Sequence, residues 1–513
     1  MSAHGQPRSG DRRAGVLLHA TALPGPGGCG TFGQSAHDWV ALLGQHGLGV
    51  WQLLPLAPTD NTGSPYSSPS GSALNPWFLD ADRLQAQGYL SEAERHGLPE
   101  PAGSRLDPAA QTQRALALGQ AIARCWRGQP LKRQRAFARW RRRQASWLRD
   151  HSRFMVARRL QHGAPWWQWP AGLAQRSPVA LARFDRTHGR ELLQEDLLQW
   201  HLQLQWQDLR GHARQCGVAL FGDMPFYVAH DSADVWSHPW LFSLAGEGAL
   251  HEQSGVPPDY FSATGQLWGT PVYRWWRHAL TGFHWWLSRL NRQLQLFDLL
   301  RLDHFRALQD YWSVPGCDDT AQGGAWKASP GTALLAALWV QQWLRGHLLA
   351  RHLPLVAEDL GVITPEVEAL RDRFALPGMK ILQFAFDGNS ENPYLPCNIH
   401  GSHWVVYTGT HDNATALGWW QSLDWETRHR VEHVIGASVT APGWQLLELA
   451  LGTSARMVVV PLQDLLELGD EARFNTPGTL GNNWTWRLDR TIEGLDGPLK
   501  GYGEMASRHS SSD

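Results

Sequence analysis

The sequence predicts a (β/α)8 TIM barrel, of the α/β class, that carries helical insertions in its βα connections. Three observations support this prediction. Eight short apolar runs recur along the 513 residues, amphipathic stretches lie between several of them, and acidic residues end several of the runs. Continuous rather than alternating apolar runs are typical of a parallel sheet that is covered on both faces. Eight such strands with interleaved helices indicate a barrel, and a doubly wound open sheet is the structural alternative.

The predicted strands are short and lie far apart along the chain. They occupy residues 15–20, 50–56, 218–225, 297–303, 353–358, 379–386, 404–410 and 457–462. Helical patterns lie between several of them, for example at residues 35–44, 331–350 and 364–374. Apolar residues in these stretches recur every three or four positions, which is the spacing of one helix face.

Long segments interrupt the regular spacing of the strands. We expect residues 1–79 to form the first part of the barrel, residues 80–200 a helical insertion, and residues 201–513 the remainder of the barrel. A second insertion, at about residues 229–290, contains the Pro- and Gly-punctuated segment 255–262, which suits a structured loop. Residues 507–513 are expected to form a frayed polar tail.

Composition excludes several classes of protein. The 46 basic and 47 acidic residues give a net charge of −1, which argues against electrostatic capture of nucleic acid or of an anionic membrane. The five cysteines are scattered and never in CxxC spacing, so a reducing cytoplasm fits better than a disulfide framework or a zinc site. We find neither a signal peptide nor a membrane-spanning run, and expect a cytoplasmic protein.

A glycine-rich segment and the tryptophan content are the remaining features of composition. Residues 25–30 match the GxGxxG pattern of dinucleotide sites, but they lie too far past a strand and contain proline, so we interpret them as a turn and predict no cofactor. The chain has 29 tryptophans, including adjacent pairs that cannot all face inward. Flat apolar rings with one N–H donor suit the C–H faces of sugars and also suit protein interfaces.

Acidic residues lie at the ends of four predicted strands, where the active sites of barrels are found. They are Asp223, Asp303, Glu358 and Asp412. Residues two apart in a strand share a face, so Arg301 and Asp303 should point the same way. A guanidinium beside a carboxylate keeps that acid ionised, as a nucleophile must be, and a structural salt bridge is the alternative for this pair alone.

Two carboxylates are sufficient for retaining glycosyl transfer, in which one attacks the anomeric carbon while the other protonates the leaving oxygen. We assign Asp303 as the nucleophile. Apolar neighbours of Glu358 would raise its pKa, as a general acid/base requires. The alternative gives Asp223, Asp303, Glu358 and His411 to a divalent metal, but no HxH or HExxH spacing occurs near these strands and no metal is predicted.

At these residues the chain resembles a known family. The strand-end segments are residues 301–306 (RLDHFR), 357–361 (AEDLG) and 410–413 (THDN), and further matches lie at 15–19, 23–25, 64–66, 222–228, 255–262, 265–269, 475–479 and 483–484. In these segments the chain is similar to the 4-α-glucanotransferases called amylomaltases or disproportionating enzymes, in the wider α-amylase clan. The matches run through nearly the whole chain apart from residues 80–200.

The resemblance implies a role for each matched residue. Asp303 would be the nucleophile, Glu358 the general acid/base and Asp412 the third acid that stabilises the distorted sugar. The implied substrate-binding residues are Tyr66, Asp223, Arg301 and His411 at the donor sugar, Asp259, Gln266 and Trp268 in a loop on the acceptor side, and Phe384 and Asn475 in the remaining groove. Thr270 departs from the pattern, since the resemblance leads us to expect Asn at this position in many relatives.

The resemblance implies a 4-α-glucanotransferase that passes a segment of an α-1,4-glucan to the 4-hydroxyl of another glucan or of glucose. The intermediate would be an ester between the sugar and Asp303. One alternative function is an α-glucan hydrolase that uses the same carboxylates. Another is a catalytically silent glucan-binding protein, which the presence of Asp303, Glu358 and Asp412 argues against. The expected partners are therefore glucan donors and acceptors.

Overall fold

The computed structural model describes residues 12–25, 27–101, 103–258, 263–346, 352–479 and 481–510. Within these ranges the strands are β1 (Arg13–Leu17), β2 (Val50–Gln52), β3 (Ala219–Met224), β4 (Glu252–Val256), β5 (Gln266–Pro271), β6 (Leu299–Leu302), β7 (Asp310–Pro315), β8 (Ala325–Ala328), β9 (Leu355–Ala357), β10 (Gly378–Ile381), β11 (Trp404–Tyr407) and β12 (Met457–Pro461).

The α-helices of the same ranges are α1 (Gln34–Gln45), α2 (Ala81–Ala86), α3 (Glu92–His96), α4 (Pro108–Cys125), α5 (Leu131–Arg143), α6 (Ala145–Leu160), α7 (Ala171–Ala174), α8 (Pro178–Thr187), α9 (Gly189–Gln215), α10 (Ala233–Ser237), α11 (Trp275–Leu280), α12 (His284–Leu296), α13 (Gly331–Leu344), α14 (Pro365–Arg373), α15 (Ala416–Ser422), α16 (Trp425–Ile435), α17 (Pro442–Leu451), α18 (Leu462–Leu465) and α19 (Asp496–Ser510). Short 3₁₀ turns connect several of them. None of the helices in this part of the chain combines the length and the apolar character that a membrane crossing needs.

Eight parallel strands form the barrel in the order β10-β11-β12-β1-β2-β3-β6-β9. The two strands at the ends of this order approach each other, because the N–H of Ala357 in β9 donates to the carbonyl of Pro377, next to β10, at 2.8 Å. Each of the eight predicted apolar runs overlaps one of these strands. The predicted (β/α)8 barrel is therefore confirmed.

The barrel strands are apolar because side chains on both of their faces are buried. Val16 and Leu17 of β1 and Val459 of β12 have no exposed surface. Gly15 pairs with both Val50 and Val459, and a β-carbon on Gly15 would come within 2.7 Å of the Val50 side chain. Burial of apolar surface on this scale supplies most of the driving force for folding.

Local signals in the sequence explain where several helices begin and end. Asp107 accepts hydrogen bonds from the first N–H groups of α4, and Pro108 and Pro365 occupy the first turns of α4 and α14. α16 ends at Gly436, whose φ of 76° is left-handed. The predicted helices at 35–44, 331–350 and 364–374 correspond to α1, α13 and α14, and residues 347–350 lie outside the described residues.

Helices α2 to α9 lie between β2 and β3, and four of them pack against the long helix α9. α9 contacts α4, α5, α6 and α8 of this segment and also α1 of the barrel. The helix continues without interruption through residue 200, where the expected insertion ends. Its side chains Leu197, Leu202 and Trp206 are fully buried and belong to the same apolar core as the barrel strands.

A second sheet was not predicted. It is antiparallel, with the order β5-β4-β7-β8, and it forms from segments before and after β6. The prediction of a loop at 255–262 was wrong at its start, because β4 continues to Val256 between β5 and β7; residues 259–262 lie outside the described residues. Partners distant in sequence satisfy the hydrogen bonds of β4, for example Ser254 opposite Ser313, and no local pattern reveals them.

The predicted C-terminal tail was also wrong over residues 507–510. Helix α19 includes these residues and is held on the barrel by its buried side chains. Leu499 and Tyr502 have no exposed surface, and the Tyr502 hydroxyl donates to the Val458 carbonyl at 3.0 Å. Residues 511–513 lie outside the described part of the chain.

Candidate active site

The four predicted acids lie at the same end of the barrel, where the chain leaves the strands. Asp223 is the fifth residue of β3, Asp303 follows β6, Glu358 follows β9, and Asp412 lies in the segment after β11. All of these strands run parallel, so their carboxyl ends form one rim. The barrel topology thus brings together residues that lie up to 189 positions apart, from Asp223 to Asp412 (412 − 223).

Arg301 links two of the acids directly. It lies opposite Asp223 in the β3–β6 register, and its Nη1 donates to Asp223 Oδ2 at 2.7 Å. Its Nη2 lies 2.8 Å from Asp303 Oδ1, as expected for two residues on one face of a strand. Burial alone would lower the pKa of this guanidinium, but the two carboxylates raise it well above its usual value. Arg301 is therefore a permanent positive charge between them.

Asp223 is the most deeply buried of the acids. Its Oδ2 accepts hydrogen bonds from Arg301 and, at 2.7 Å, from the Tyr66 hydroxyl, whereas its Oδ1 is buried without a hydrogen-bond partner. Burial raises the pKa of the Asp223 carboxyl, and the Arg301 charge opposes this rise. An unpartnered buried acceptor is costly, so Oδ1 is a group that a hydroxyl of a bound molecule can satisfy.

Glu358 has a carboxyl whose pKa is raised towards neutrality. Burial raises the pKa of its carboxyl to about 7; the Arg301 charge lowers this pKa and the Asp303 charge raises it. The backbone N–H of His304 donates to Oε2 at 2.7 Å, and the N–H of Leu360 lies 3.3 Å from Oε1. A carboxyl with a pKa near neutrality exchanges its proton readily at physiological pH, which suits a general acid/base.

Asp412 is held by three groups around the loop that follows β11. The Asn475 amide donates to Oδ1 at 2.7 Å, His411 Nε2 lies 3.3 Å from Oδ2, and Arg473 donates to the backbone carbonyl at 2.6 Å. The Asp412 side chain remains 42% exposed, so these contacts orient the carboxylate without closing it off from a ligand. The cluster of Asp412, His411 and Asn475 forms one side of the site.

Tyr66 joins this cluster to Asp223. Its ring is stacked on the His411 ring, with centroids 5.2 Å apart and an interplanar angle of 9°, while its hydroxyl binds Asp223. Trp484 lies beside both rings, at 5.6 Å from Tyr66 and 6.0 Å from His411. Burial and the Asp223 charge raise the pKa of the Tyr66 hydroxyl, which therefore stays a hydrogen-bond donor.

The predicted acceptor-side residues lie in or beside the second sheet. Trp268 of β5 meets the His304 ring edge-on, with centroids 4.9 Å apart, and its indole N–H lies 3.4 Å from Gln266 Oε1. His304 follows Asp303 directly along the chain. Trp268 therefore contacts the residue next to the predicted nucleophile. Asp259 lies outside the described residues.

Phe384 is the predicted groove residue that packs against Tyr394. Its ring packs edge-on against Tyr394 at 5.7 Å, and 42% of its surface is exposed. Burial raises the pKa of the Tyr394 hydroxyl to about 12, with further contributions from the charges of Asp359 and Glu358. The charge of Glu358 therefore acts on Tyr394, whose ring contacts Phe384.

Sequence reasoning missed several residues of the site. His19 is buried after β1, burial and the nearby His411 lower its pKa to about 3, and its Nδ1 lacks a hydrogen-bond partner. His304, Arg473 and Trp484 also contact predicted site residues. His19, His304 and Trp484 lie within or beside the segments that carry the resemblance, and that position was the available signal. Arg473 has no such signal.

Comparisons with known proteins agree with this geometry. A sequence profile of glycoside hydrolase family 77, described as 4-alpha-glucanotransferase, matches residues 18–492. The chain belongs to this family. A 4-alpha-glucanotransferase from Synechocystis sp. is 43% identical over 505 residues, which cover 97% of this chain and 98% of the relative. One from Thermus thermophilus is 43% identical over 493 residues, covering 93% and 95%.

Solved structures support the same family. The amylomaltase from Streptococcus agalactiae in complex with acarbose superposes with a TM-score of 0.91, at 31% identity, and the match covers 97% of this chain and 99% of that one. The amylomaltase from Corynebacterium glutamicum, at 18% identity and a TM-score of 0.76, shares the fold. Membership of the family identifies the chain as an enzyme of the 4-alpha-glucanotransferase class.

Proposed function

We propose that this enzyme transfers a segment of an α-1,4-glucan to the 4-hydroxyl of another glucan or of glucose by a retaining double displacement. The observation that carries the proposal is the contrast between two acids of one site. Asp303 lies against the fixed charge of Arg301, whereas Glu358 is partly buried and its pKa is raised to about 7. One acid is thus suited to attack as a carboxylate and the other to carry a proton.

In the first half-reaction Asp303 attacks the anomeric carbon of the donor sugar. The bond between that carbon and the glycosidic oxygen breaks, and Glu358 gives its proton to the departing oxygen. The His304 N–H donates to Oε2 at 2.7 Å, whereas the Leu360 N–H lies 3.3 Å from Oε1, so we assign the proton to Oε1, the oxygen with the longer hydrogen bond. The products are a free glucan end and an ester between Asp303 and the remaining sugar.

In the second half-reaction the 4-hydroxyl of an acceptor attacks the same anomeric carbon. Glu358, now a carboxylate, takes the hydroxyl proton, the ester bond to Asp303 breaks, and the original protonation state returns. Two inversions at one carbon retain its configuration. No cofactor or metal enters either step, and the Arg301 charge stabilises Asp303 each time it is released as a carboxylate.

The donor sugar would lie between Asp223 and Asp412. Asp412 and His411 would accept and donate hydrogen bonds to its hydroxyls, with Asn475 orienting Asp412. Tyr66 offers an aromatic face beside this position, and the unpartnered Asp223 Oδ1 would accept from a further hydroxyl. Interactions that strengthen as the sugar ring distorts lower the barrier to reaction.

The acceptor would lie on the side of the second sheet. Trp268 and Gln266 are in contact there, and Trp268 reaches the site through His304. We assign Asp259 and Phe384 to the same acceptor and groove contacts, as the family resemblance implies. Transfer prevails over hydrolysis when these groups bind a sugar better than water and exclude water from the ester.

The cellular location and the partners of the enzyme can be inferred from its proposed substrates, its cysteines and its net charge. We infer a cytoplasmic enzyme whose partners are a glucan donor and a glucose or malto-oligosaccharide acceptor. All five cysteines are free, which suits a reducing compartment. The near-neutral net charge of −1 suits an uncharged substrate better than a nucleic acid.

Incubation with maltotriose alone tests the proposal. Glucose together with a ladder of products longer than the trimer is the expected result, because a transferase must build longer chains as it releases glucose. Glucose and maltose without longer products would replace transfer by hydrolysis with the same carboxylates. An unchanged trimer, with longer malto-oligosaccharides also unchanged, would refute a catalytic function.

A further inference from the structure

A second cleft lies beside the candidate active site. It is formed between α6, the residues around α10 and α12, and its cavity volume is about 240 Å³, compared with about 20 Å³ for the cavity lined by Tyr66 and Asp223. Arg289 of α12 lines both spaces. The active site described above does not use this cleft, which we call the α6/α12 cleft.

Three tryptophans line the α6/α12 cleft. Trp147 is in α6, Trp285 is in α12, and Trp240 lies in the turn after α10, with 43% of its surface exposed. Burying a large aromatic side chain is strongly favourable, so a ring left exposed beside a cleft points to a ligand that covers it. The faces of these rings suit the C–H faces of pyranose sugars.

Polar side chains lie between the rings. Asp150 and Asp234 provide carboxylate oxygens, and His238, His284 and Ser288 provide imidazole and hydroxyl groups. Asp234 accepts from the Gly71 N–H at 2.9 Å, and Asp150 pairs with Arg176 at 2.7 Å, so both carboxylates are held in place. Fixed acceptors and donors between flat apolar rings form a surface that matches a polyhydroxylated chain.

The charges of the lining disfavour an anionic ligand. Both arginines that line the cleft are buried and already donate to protein oxygens: Arg289 to Pro225 and Phe226 carbonyls, and Arg292 to the Ser72 carbonyl and Gln203. Burial lowers the pKa of His238, so its imidazole is neutral at physiological pH. The carboxylates would repel a phosphate or a nucleic acid, whereas a neutral sugar meets no such penalty.

We propose that the α6/α12 cleft is a second binding site for α-1,4-glucan, separate from the reacting centre. The proposal rests on the proposed function, because it assumes that the enzyme meets long glucan chains. A chain held in the cleft raises the local concentration of glucan ends at the neighbouring active site. Long substrates therefore gain affinity from the cleft, and a trimer held at the reacting centre does not.

Binding without turnover tests the site directly. In a Glu358→Gln background we expect native electrophoresis through soluble amylose to retard the protein, and Trp240→Ala to weaken the apparent affinity about fivefold or more. Trp425→Ala is the matched control, since Trp425 lies in α16 and is 78% exposed. Equal retardation of the Trp240→Ala and Trp425→Ala proteins would overturn the proposal. This measurement does not depend on catalysis, so a failed transfer assay leaves it interpretable.

Kinetics provide the second readout. In the otherwise unchanged enzyme, Trp240→Ala is expected to raise the KM for amylose about fivefold and to leave the KM for maltotriose within twofold. An equal rise for both substrates would overturn the proposal, because the substitution would then act on the reacting centre. Ser288→Trp fills the cleft from an exposed position of α12 without removing an aromatic ring, and the same selective loss is expected.

The competing occupant of the cleft is a second copy of the chain. Trp276 and Leu280 of α11 are exposed near the turn that carries Trp240, to which Arg277 of α11 donates at 2.7 Å. The polar groups between the tryptophans favour a sugar over an apolar interface. Sedimentation of the unchanged and Trp240→Ala proteins decides this point: the same mass for both supports the glucan site, and a dimer lost on substitution would overturn it.

Discussion

The backbone N–H of His304 donates a hydrogen bond to Glu358 Oε2 at 2.7 Å. His304 follows the proposed nucleophile directly, so one peptide connects the two acids of the mechanism. His304 has the left-handed conformation, with φ 53° and ψ 51°, which costs about 1 kcal/mol or more for a residue with a side chain. The contact of its partly buried ring with Trp268 helps to hold it in this conformation. The position of Glu358 therefore depends on the geometry of the chain after Asp303.

Replacement of Glu358 by Gln should abolish most of the turnover. The amide keeps the shape of the side chain and cannot donate or take the reacting proton, so we expect kcat to fall about 10²–10⁴-fold. Maltotriose consumption over time measures this loss. Glu368→Gln, at an exposed position of α14, should leave the rate unchanged. Comparable rates for the Glu358→Gln and unchanged enzymes would remove Glu358 from the chemistry.

The pH dependence should report the protonation of Glu358. The first half-reaction needs this carboxyl in its acid form, and its pKa is raised to about 7. The rate of glycosyl transfer should therefore decline tenfold per pH unit as pH rises above about 7. A profile of kcat/KM for maltotriose between pH 5 and 9 measures this decline. A flat profile through pH 9 would contradict the assignment.

Glu358 should also make the stability of the protein depend on pH. The native protein holds the Glu358 proton up to about pH 7, whereas the usual pKa of a glutamate is 4.5. Between these values the native state binds more protons than the unfolded state, so this group lowers the free energy of unfolding as pH rises. The Glu358→Gln protein has no carboxyl at this position, so its free energy of unfolding does not fall in this way as pH rises. At pH 8 that free energy should exceed the value for the unchanged enzyme by about 1–3 kcal/mol.

Urea unfolding of both proteins at pH 4 and pH 8 measures this effect. At pH 4 the Glu358 carboxyl is mostly protonated in both states, so the advantage of the Glu358→Gln protein over the unchanged one should be smallest there. An equal difference at the two pH values would show that the ionisation of Glu358 does not contribute to stability.

Two substitutions of Tyr66 should separate its hydroxyl from its ring. Tyr66→Phe removes the hydrogen bond to Asp223 and retains the stacking on His411, so we expect a fall of about 10-fold in kcat/KM. Tyr66→Ala removes both contacts and should cost at least a further 10-fold. Steady-state kinetics with maltotriose measures both effects. Equal losses for the two substitutions would mean that the ring does not contribute.

Trp268 should control the choice between transfer and hydrolysis. Its ring lies on the acceptor side beside His304, and its removal admits water and weakens acceptor binding. We expect Trp268→Ala to raise the ratio of hydrolysis to transfer several-fold, as measured by the reducing ends formed per longer product. Trp326→Ala, in β8 of the same sheet, is the control and should keep the original ratio. A fall in total rate at an unchanged ratio would refute this role.

The acids and their barrel strands could be predicted because the information is local. Strands covered on both faces need continuous apolar runs, and an acid that ends such a run must lie at the rim of the sheet. Asp223, Asp303 and Glu358 were found in this way, and the Arg301–Asp303 contact followed from the two-residue period of a strand. Family resemblance, rather than pattern, suggested Tyr66 and Asn475.

The antiparallel sheet could not be predicted from such patterns. All four residues of β8 are exposed, so this strand carries no buried face that could produce a period of two. Its partner β7 begins within a few residues of the site, whereas β4 and β5 come from the segment before β6. Pairing between distant segments satisfies their backbone groups, and no local signal specifies which segments will meet.

The sequence by itself determined the barrel, the family and the identity of the acids, because each depends on a run of neighbouring residues. Only the tertiary structure decided how those acids differ. Asp223 pairs with Arg301 because β3 lies next to β6 in the barrel, and the pKa of Glu358 rises because the folded chain removes it from water. Burial and proximity are properties of the whole packed chain. The fold, and not the local sequence, therefore determines that Glu358 carries the proton that the reaction needs.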